Sequence, residues 1–418
     1  MDRELIADCV HCGFCLPTCP TYQLWGEEMD SPRGRIYLMK QVLDGEPLDD
    51  TVALHMDNCL GCMSCVTACP SGVQYDALIE STRGAVERAV TRRPSDRALR
   101  GMIFSLFPYP RRLAAVRGPL RAYQKLGLRR VVRRSKLLAK LPPAVGAMED
   151  LLPPLSAKSK VPAITPAVGE RRARVGMLLG CVQREFFPDV NAATVRVLAA
   201  EGCEVVAPAA QGCCGALSLH IGREAEALKR ARKLIATFEA LQVDAIVINA
   251  AGCGSSMKDY GRLLAGDPAW AERAAAFSAK CRDVSELLSE LGPVAKRHPI
   301  RAIAAYHDAC HLGHAQGVRL QPRELLGGIP DLEIREIADA DICCGSAGVY
   351  NVIKPEPARE LGDRKAANVI ATGASLLITA NPGCLMQVDS ALRRQGKTIK
   401  LAHTVEVLDA SIRNVPLP

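Results

Sequence analysis

Aromatic residues are scarce in this 418-residue chain, with Phe, Trp and Tyr together at 4%. That argues against a stacking platform for single-stranded nucleic acid, which needs a row of rings. Long apolar runs are missing too, and no stretch approaches the ~18–20 residues a helix needs to cross a bilayer. The amino terminus, Met-Asp-Arg-Glu, lacks the basic-then-apolar pattern of a secretory signal, so the expected location is the cytoplasm. Neither G-x-G-x-x-G nor G-x-x-x-x-G-K-[ST] occurs, which removes the commonest sequence grounds for placing a nucleotide or a flavin on this chain. Disorder is excluded as well, because 48% of the residues are hydrophobic and the length suits two to three domains.

Two features are present in excess: 18 cysteines and a net charge of +8. The charge is local. Between Arg92 and Lys140 there are 15 Lys/Arg against one acidic residue, Asp96, a block of +14 that leaves the remainder of the chain at −6. A mildly acidic body with one basic segment offers no general basis for binding nucleic acid.

The cysteines form two systems. The first is Cys9-x2-Cys12-x2-Cys15-x3-Cys19-Pro20, repeated as Cys59-x2-Cys62-x2-Cys65-x3-Cys69-Pro70. Three thiols at three-residue intervals wrap one corner of a cubane, and in two-cluster ferredoxins the fourth cysteine of each run ligates the other cluster. Cys9, Cys12, Cys15 and Cys69 are therefore expected to hold one [4Fe-4S] centre, and Cys59, Cys62, Cys65 and Cys19 a second. Zinc usually takes two cysteine pairs separated by a longer loop, and disulfides are disfavoured in a reducing compartment. The 39 residues between Cys19 and Cys59 include Ser31-Pro32, a helix cap with proline at the first helical position, so this insert reads as helical.

The second system is an internal repeat. Cys181, Cys213-Cys214-Gly215 and Cys253 recur as Cys310, Cys343-Cys344-Gly345 and Cys384, displaced by 129, 130 and 131 residues. Short apolar runs end just before the single cysteines: Val175–Leu179, Asp244–Asn249, Arg301–Tyr306 and Ser375–Ala380. Helical stretches at Arg223–Leu241 and Glu356–Thr372 lie between each double cysteine and the following strand. Strands alternating with helices predict parallel α/β units, and in such sheets ligands gather beyond the carboxyl ends of strands.

These motifs together resemble the iron–sulfur subunit family of glycolate oxidase (glycolate dehydrogenase), along essentially the whole chain. The most characteristic stretches are Cys9–Lys40, Tyr306–His314, Asp341–Asn351 and Asn381–Cys384 with Gln387. The resemblance implies an α+β multidomain protein, an N-terminal α-helical ferredoxin domain followed by two repeated α/β Cys-Cys-Gly (CCG) modules. The expected division is 1–90 ferredoxin domain, 91–140 basic helical element, 141–174 Pro-rich linker, 175–295 first module and 296–418 second module. It also implies an electron-transfer role. A partner FAD-containing dehydrogenase subunit would oxidise glycolate to glyoxylate, and this chain would pass the electrons towards membrane quinone. Equivalent subunits of D-lactate or anaerobic glycerol-3-phosphate dehydrogenases, or a catalytic heterodisulfide-reductase-like subunit, share the architecture. In the last of these each module ends in C-x-x-C. Here Asn381 and Ala250 stand where those extra cysteines would be, leaving four per module and one or two further [4Fe-4S] clusters.

Smaller features complete the reading. Cys203 and Cys281 lie outside both patterns and read as buried small hydrophobes. His307 and His311 flank Cys310, and His220 follows Cys213-Cys214; they are expected to orient cluster ligands or donate protons near a quinone. In the basic block, Met102–Pro110 is an apolar aromatic patch beside cations. It suits peripheral contact with the cytoplasmic face of the inner membrane through 92–140, or a docking face for the flavoprotein.

Overall fold

The computed structural model describes residues 3–135, 137–157 and 159–417. The first two residues, Lys136 of the basic block, Lys158 of the Pro-rich stretch and Pro418 of the second module lie outside the described residues.

From Arg3 to Ala89 the chain is helical, with helices Arg3–Ala7, Pro20–Trp25, Pro32–Leu43, Asp50–Asn58, Ser64–Thr67 and Tyr75–Ala89. The Ser31 hydroxyl accepts from the Gly34 amide at 3.0 Å, capping the helix that Pro32 opens. Ile36, Met39, Met56, Leu78, Ile79 and Val86 close one core, and Cys59 and Cys65 are buried within it.

The carboxyl-terminal half holds two sheets of matching topology. In the first, β2 (Ala173–Met177), β3 (Cys203–Val206), β4 (Ala245–Ile248) and β5 (Cys281–Asp283) run parallel, preceded in the chain by β1 (Ile164–Thr165). The order is β1-β3-β2-β4-β5. In the second, β6 (Ala302–His307), β7 (Leu332–Glu336), β8 (Leu376–Thr379) and β9 (Lys400–His403) repeat the parallel set in the order β7-β6-β8-β9. Strand order reverses at β2/β4 and at β6/β8. That switch point opens a crevice at the carboxyl edge, and Cys181, Cys253, Cys310 and Cys384 all follow those four strands.

The two modules pack about a pseudo-two-fold axis. Helix Pro188–Ala200 of the first lies against Thr404–Arg413 of the second, and Val284–Leu291 against Leu320–Gly327. In each pair, the helix after the first strand of one module meets the last helix of the other. Val195, Leu198, Leu287, Leu326, Val405 and Leu408 merge into a shared core, and His403 Nε2 lies 2.9 Å from the Asn249 carbonyl.

Two segments differ from expectation. The stretch 141–174 does more than link: it carries helix Pro143–Leu151, which packs on the second module, and β1, which pairs antiparallel with β3. In the basic block, helices Pro94–Leu106, Pro110–Lys125 and Leu128–Arg134 form as patterned. Its apolar patch divides: Ile103 and Phe104 are buried against Ala144, Val349 and Val352, while Met102 and Tyr109 stay exposed. Several of its cations are also used internally. Arg92 and Arg100 pair with Asp57, Arg129 and Arg133 with Glu149, and buried Arg117 donates to the Glu185 and Ser156 carbonyls. A short-range pattern cannot reveal acidic partners that arrive from distant segments. Among the described residues no helix is long and apolar enough to cross a membrane.

Gly345 shows why glycine follows the second double cysteine. Its φ is +87°, and a Cβ there would sit 2.5 Å from the Ala358 carbonyl oxygen of helix Pro355–Ala371. Gly345→Ala is expected to destabilise the protein by about 1–3 kcal/mol through backbone strain. Urea denaturation followed by circular dichroism checks this, and an unchanged midpoint would contradict it.

Candidate metal centres

The structure draws the ferredoxin-type thiols into two adjoining pockets. Cys9, Cys12, Cys15 and Cys69 line the outer one with Pro32, Arg33 and Tyr75. Cys19, Cys59, Cys62 and Cys65 line the inner one with Thr21, Arg35 and Met63. The outer set is open, with Cys12 exposed and the other three half-buried, whereas all four inner thiols are buried. Both runs curl the same way. His11 and Gly13 in the first, and Gly61 and Met63 in the second, take φ between 53° and 89°, so each loop turns twice around its thiols.

The module thiols converge on one cavity of about 150 Å³ at the sheets' carboxyl edges. All eight line it: Cys181, Cys213, Cys214 and Cys253 from the first module, Cys310, Cys343, Cys344 and Cys384 from the second. Cys181 and Cys213 sulfurs are 3.5 Å apart, and those of Cys310 and Cys343 3.9 Å. The inner ferredoxin-type pocket adjoins the second module. Leu60, Cys62, Cys343 and Tyr350 share a buried cluster, with Cys310 packed against it, and the Ser64 hydroxyl donates to the Asp341 carbonyl at 2.8 Å. Cys203 and Cys281 lie instead in the strand cores, both fully buried.

The surroundings suit anionic sulfur. Amides of Gly61 and Gly215 donate to Cys59 and Cys213 at 3.3 and 3.4 Å. Tyr75 Oη donates to Cys59 at 3.7 Å, and Asn381 Nδ2 to Cys384 at 3.4 Å. Burial pushes the Cys59 thiol up, but Arg35 and Arg83 outweigh it and hold the group below the ordinary cysteine value. Hydrogen bonds from Cys181 and Cys343 hold Cys213 and Cys344 well below theirs. At the outer pocket, burial pushes Cys15 up to about 11. Arg35 is only 1% exposed. It pairs with Asp30 at 3.1 Å and donates to the His55 carbonyl and Thr21 hydroxyl at 2.7 and 3.0 Å.

The histidines divide by role. His311 Nε2 lies 2.8 Å from the Gly61 carbonyl, and its ring meets His220 edge-on at 5.0 Å. Burial lowers the pKa of both rings, so neutral His311 donates to Gly61 and ties the second module to the loop between Cys59 and Cys62. His307 instead faces the thiols of Cys344 and Cys384. Arg35, Arg83 and His314 escaped sequence reasoning. Arg83 donates to the carbonyls of Met56, Cys59 and His220, and His314 spans Thr67 and Asp341. No local pattern marks a residue whose partners are brought to it by tertiary packing.

Gathered soft thiols without an S–S bond, cationic neighbours and N–H groups aimed at sulfur are the donor set an iron–sulfur cluster takes.

Comparison with known proteins agrees with this chemistry. Residues 5–73 match the family described as "4Fe-4S dicluster domain", and residues 175–258 and 304–389 match "Cysteine-rich domain". Residues 95–152 match "Glycolate oxidase iron-sulfur subunit, linker region". The "Probable glycolate oxidase iron-sulfur subunit" of Bacillus subtilis is 40% identical, over 98% of this chain and 94% of that protein. The "Glycolate oxidase iron-sulfur subunit" of Escherichia coli is 35% identical, over 98% and 95%. "Lactate utilization protein A" of Exiguobacterium is 34% identical over 57% of this chain and 98% of that protein.

Arg35 supplies the test of the inner pocket's electrostatics. Arg35→Met removes a buried cation that would favour the more negative, reduced state of a cluster held by Cys19, Cys59, Cys62 and Cys65, so the reduction potential of such a cluster is expected to fall. Arg35→Lys is expected to keep much of it. Redox titration followed by electron paramagnetic resonance (EPR) reads the shift, and an unmoved potential in Arg35→Met would refute the assignment.

Proposed function

The chain belongs to the glycolate oxidase iron–sulfur subunit family, and from that membership we propose how it carries electrons between a partner flavoprotein and quinone. It is the electron-transfer subunit of a glycolate oxidase-type oxidoreductase. In the proposed division, Cys9, Cys12, Cys15 and Cys69 hold one [4Fe-4S] cluster and Cys19, Cys59, Cys62 and Cys65 a second. The cysteines of the two modules, Cys181, Cys213, Cys214 and Cys253 with Cys310, Cys343, Cys344 and Cys384, hold one or two more. Such clusters, when bound, take up and release single electrons with little rearrangement.

One observation carries the reading: the thiols form an unbroken file from surface to interior. Cys12 is exposed, with Val10 and Phe14 open to solvent beside it. Cys65 lines both ferredoxin-type pockets, and Cys62 packs with Cys343. In this reading the FAD-containing subunit docks at the Cys12 edge. There the two electrons released as glycolate becomes glyoxylate and two protons enter singly. They leave from the module cavity towards quinone. The protein's work is to hold each sulfur rigidly, exclude water from the inner sites and neutralise their charge with Arg35 and Arg83.

Anaerobically purified complex is expected to contain about 12–16 iron per copy of this chain, as three or four [4Fe-4S] clusters require. Glycolate is expected to bleach its visible absorbance only when the flavoprotein is present. Absence of a co-purifying flavoprotein, together with no reduction by glycolate, D-lactate or glycerol-3-phosphate, would overturn the proposal.

Peripheral membrane contact is proposed on the face that keeps Arg130, Arg134, Leu126, Leu128 and Val131 exposed. Flotation with vesicles containing anionic lipid should show binding that salt abolishes; absence of salt-sensitive binding would remove this contact.

A further inference from the structure

We infer that His307 is a fifth protein donor to the metal group of the second module, which then offers four thiols and one imidazole nitrogen where the first offers four thiols alone. The inference rests on the reading that the second module binds an iron–sulfur cluster.

Its support is geometric. His307 closes β6, pairing with Thr379 of β8 at the switch point where the thiols converge. Its ring is 2% exposed. A ring nitrogen of His307 and the sulfurs of Cys344 and Cys384 lie within 4.8 Å of one another, all three side chains buried. Neither Nδ1 nor Nε2 has a nitrogen or oxygen hydrogen-bond partner; among the described residues the one polar group the ring interacts with is the Cys344 thiol. A buried imidazole ordinarily satisfies at least one nitrogen, as three other histidines do: His311 with the Gly61 carbonyl, His314 with Thr67 and Asp341, His403 with the Asn249 carbonyl. His220 Nδ1, on the same cavity, also lacks a partner, but no thiol pair faces it. His307 has thiols before it instead.

The repeat supplies an independent observation. His307 precedes Cys310 by three residues, and the residue that precedes Cys181 by three is Leu178. Strand registers agree: Met177 pairs with Val247 on β4 as Tyr306 pairs with Ile378 on β8. Leu178 is 2% exposed. The fold therefore accepts an aliphatic side chain at this place, and packing alone does not call for an imidazole. Imidazole nitrogen is an established donor to iron–sulfur centres alongside thiolate, and a borderline base within reach of two thiols suits that role.

Pulsed EPR on the reduced, anaerobically purified complex tests it, reading the second module's signals, identified as those lost in Cys384→Ser. The wild-type protein is expected to show a nitrogen coupling of directly ligated strength that changes isotopically when grown with 15N-histidine. His307→Leu is expected to lose that coupling, and His307→Cys to regain a five-donor set without nitrogen. If His307→Leu fails to assemble, the labelled wild-type spectrum still decides. Only the weak coupling of a nitrogen hydrogen-bonded to sulfur, or a strong coupling that persists in His307→Leu, would overturn the assignment. Second-module signals free of nitrogen coupling sink the role of His307 alone; absence of any iron–sulfur signal dependent on Cys384 sinks the cluster reading beneath it.

Discussion

Sulfur that must stay anionic inside a protein is the constraint from which the rest of this structure follows. An isolated buried charge is costly unless it is paired and hydrogen-bonded, and six of the eight module thiols, with four of the ferredoxin-type ones, are buried. The chain answers with short-range devices at some of these thiols, Cys59 and Cys213 among them. Amides of Gly61 and Gly215 point at sulfur, and guanidinium groups of Arg35 and Arg83 stand behind Cys59. Arg35 in turn needs Asp30, which also accepts from Asn58 at 3.1 Å. A network that begins with a thiol thus fixes the packing of helices Pro32–Leu43 and Asp50–Asn58, because each buried polar atom requires the next.

The same constraint explains how the halves are joined. A relay works only if its sites are close, and the inner ferredoxin-type pocket is pressed against the second module by polar contacts to backbone. His311 reaches the Gly61 carbonyl and Ser64 the Asp341 carbonyl, and the Lys354 amine adds a side-chain bond to Asn58 Oδ1 at 3.0 Å. Backbone carbonyls are fixed points, so such bonds set position more firmly than exposed ion pairs, whose net contribution is small. The helix Pro143–Leu151 and strand β1 brace the arrangement, spanning the basic segment and both modules.

What could be read from the amino acids alone divides along the range of the interactions. Cysteine spacing, the Ser31-Pro32 cap and the parallel strands before Cys181 and Cys310 are local, and each has its counterpart in the fold. The twist of the cysteine loops is nearly local as well: glycine marks one left-handed position in each run, Gly13 and Gly61, while His11 and Met63 occupy the others without any signal. Long-range partners were illegible. The covered part of the basic block could not be told from its exposed face, because Asp57, Glu149 and the Glu185 carbonyl, which meet its arginines, lie outside it in the chain. The covered half of its apolar patch was equally illegible, because Val349 and Val352, which cover Ile103 and Phe104, lie over 240 residues away.

The repeat permits one further step. Two modules with the same strand order, the same double cysteine and a shared core differ where a side chain faces the thiols. Leu178 opposes His307, and Ala250 opposes Asn381, whose amide donates to Cys384. The scaffolding positions, by contrast, correspond: Gly215 and Gly345 have φ of 90° and 87°, and each brings its backbone against the following helix. Duplication of a fold sets the backbone twice with the same turns and strand ends, but leaves side chains at the crevice free to diverge. At these two places the polar member falls in the second module, but at Gln183, which lines the cavity where the second module has Leu312, it falls in the first. Two backbones that match therefore surround their sulfurs with different polar groups, and the two halves of one cavity are not equivalent environments for the thiols they present.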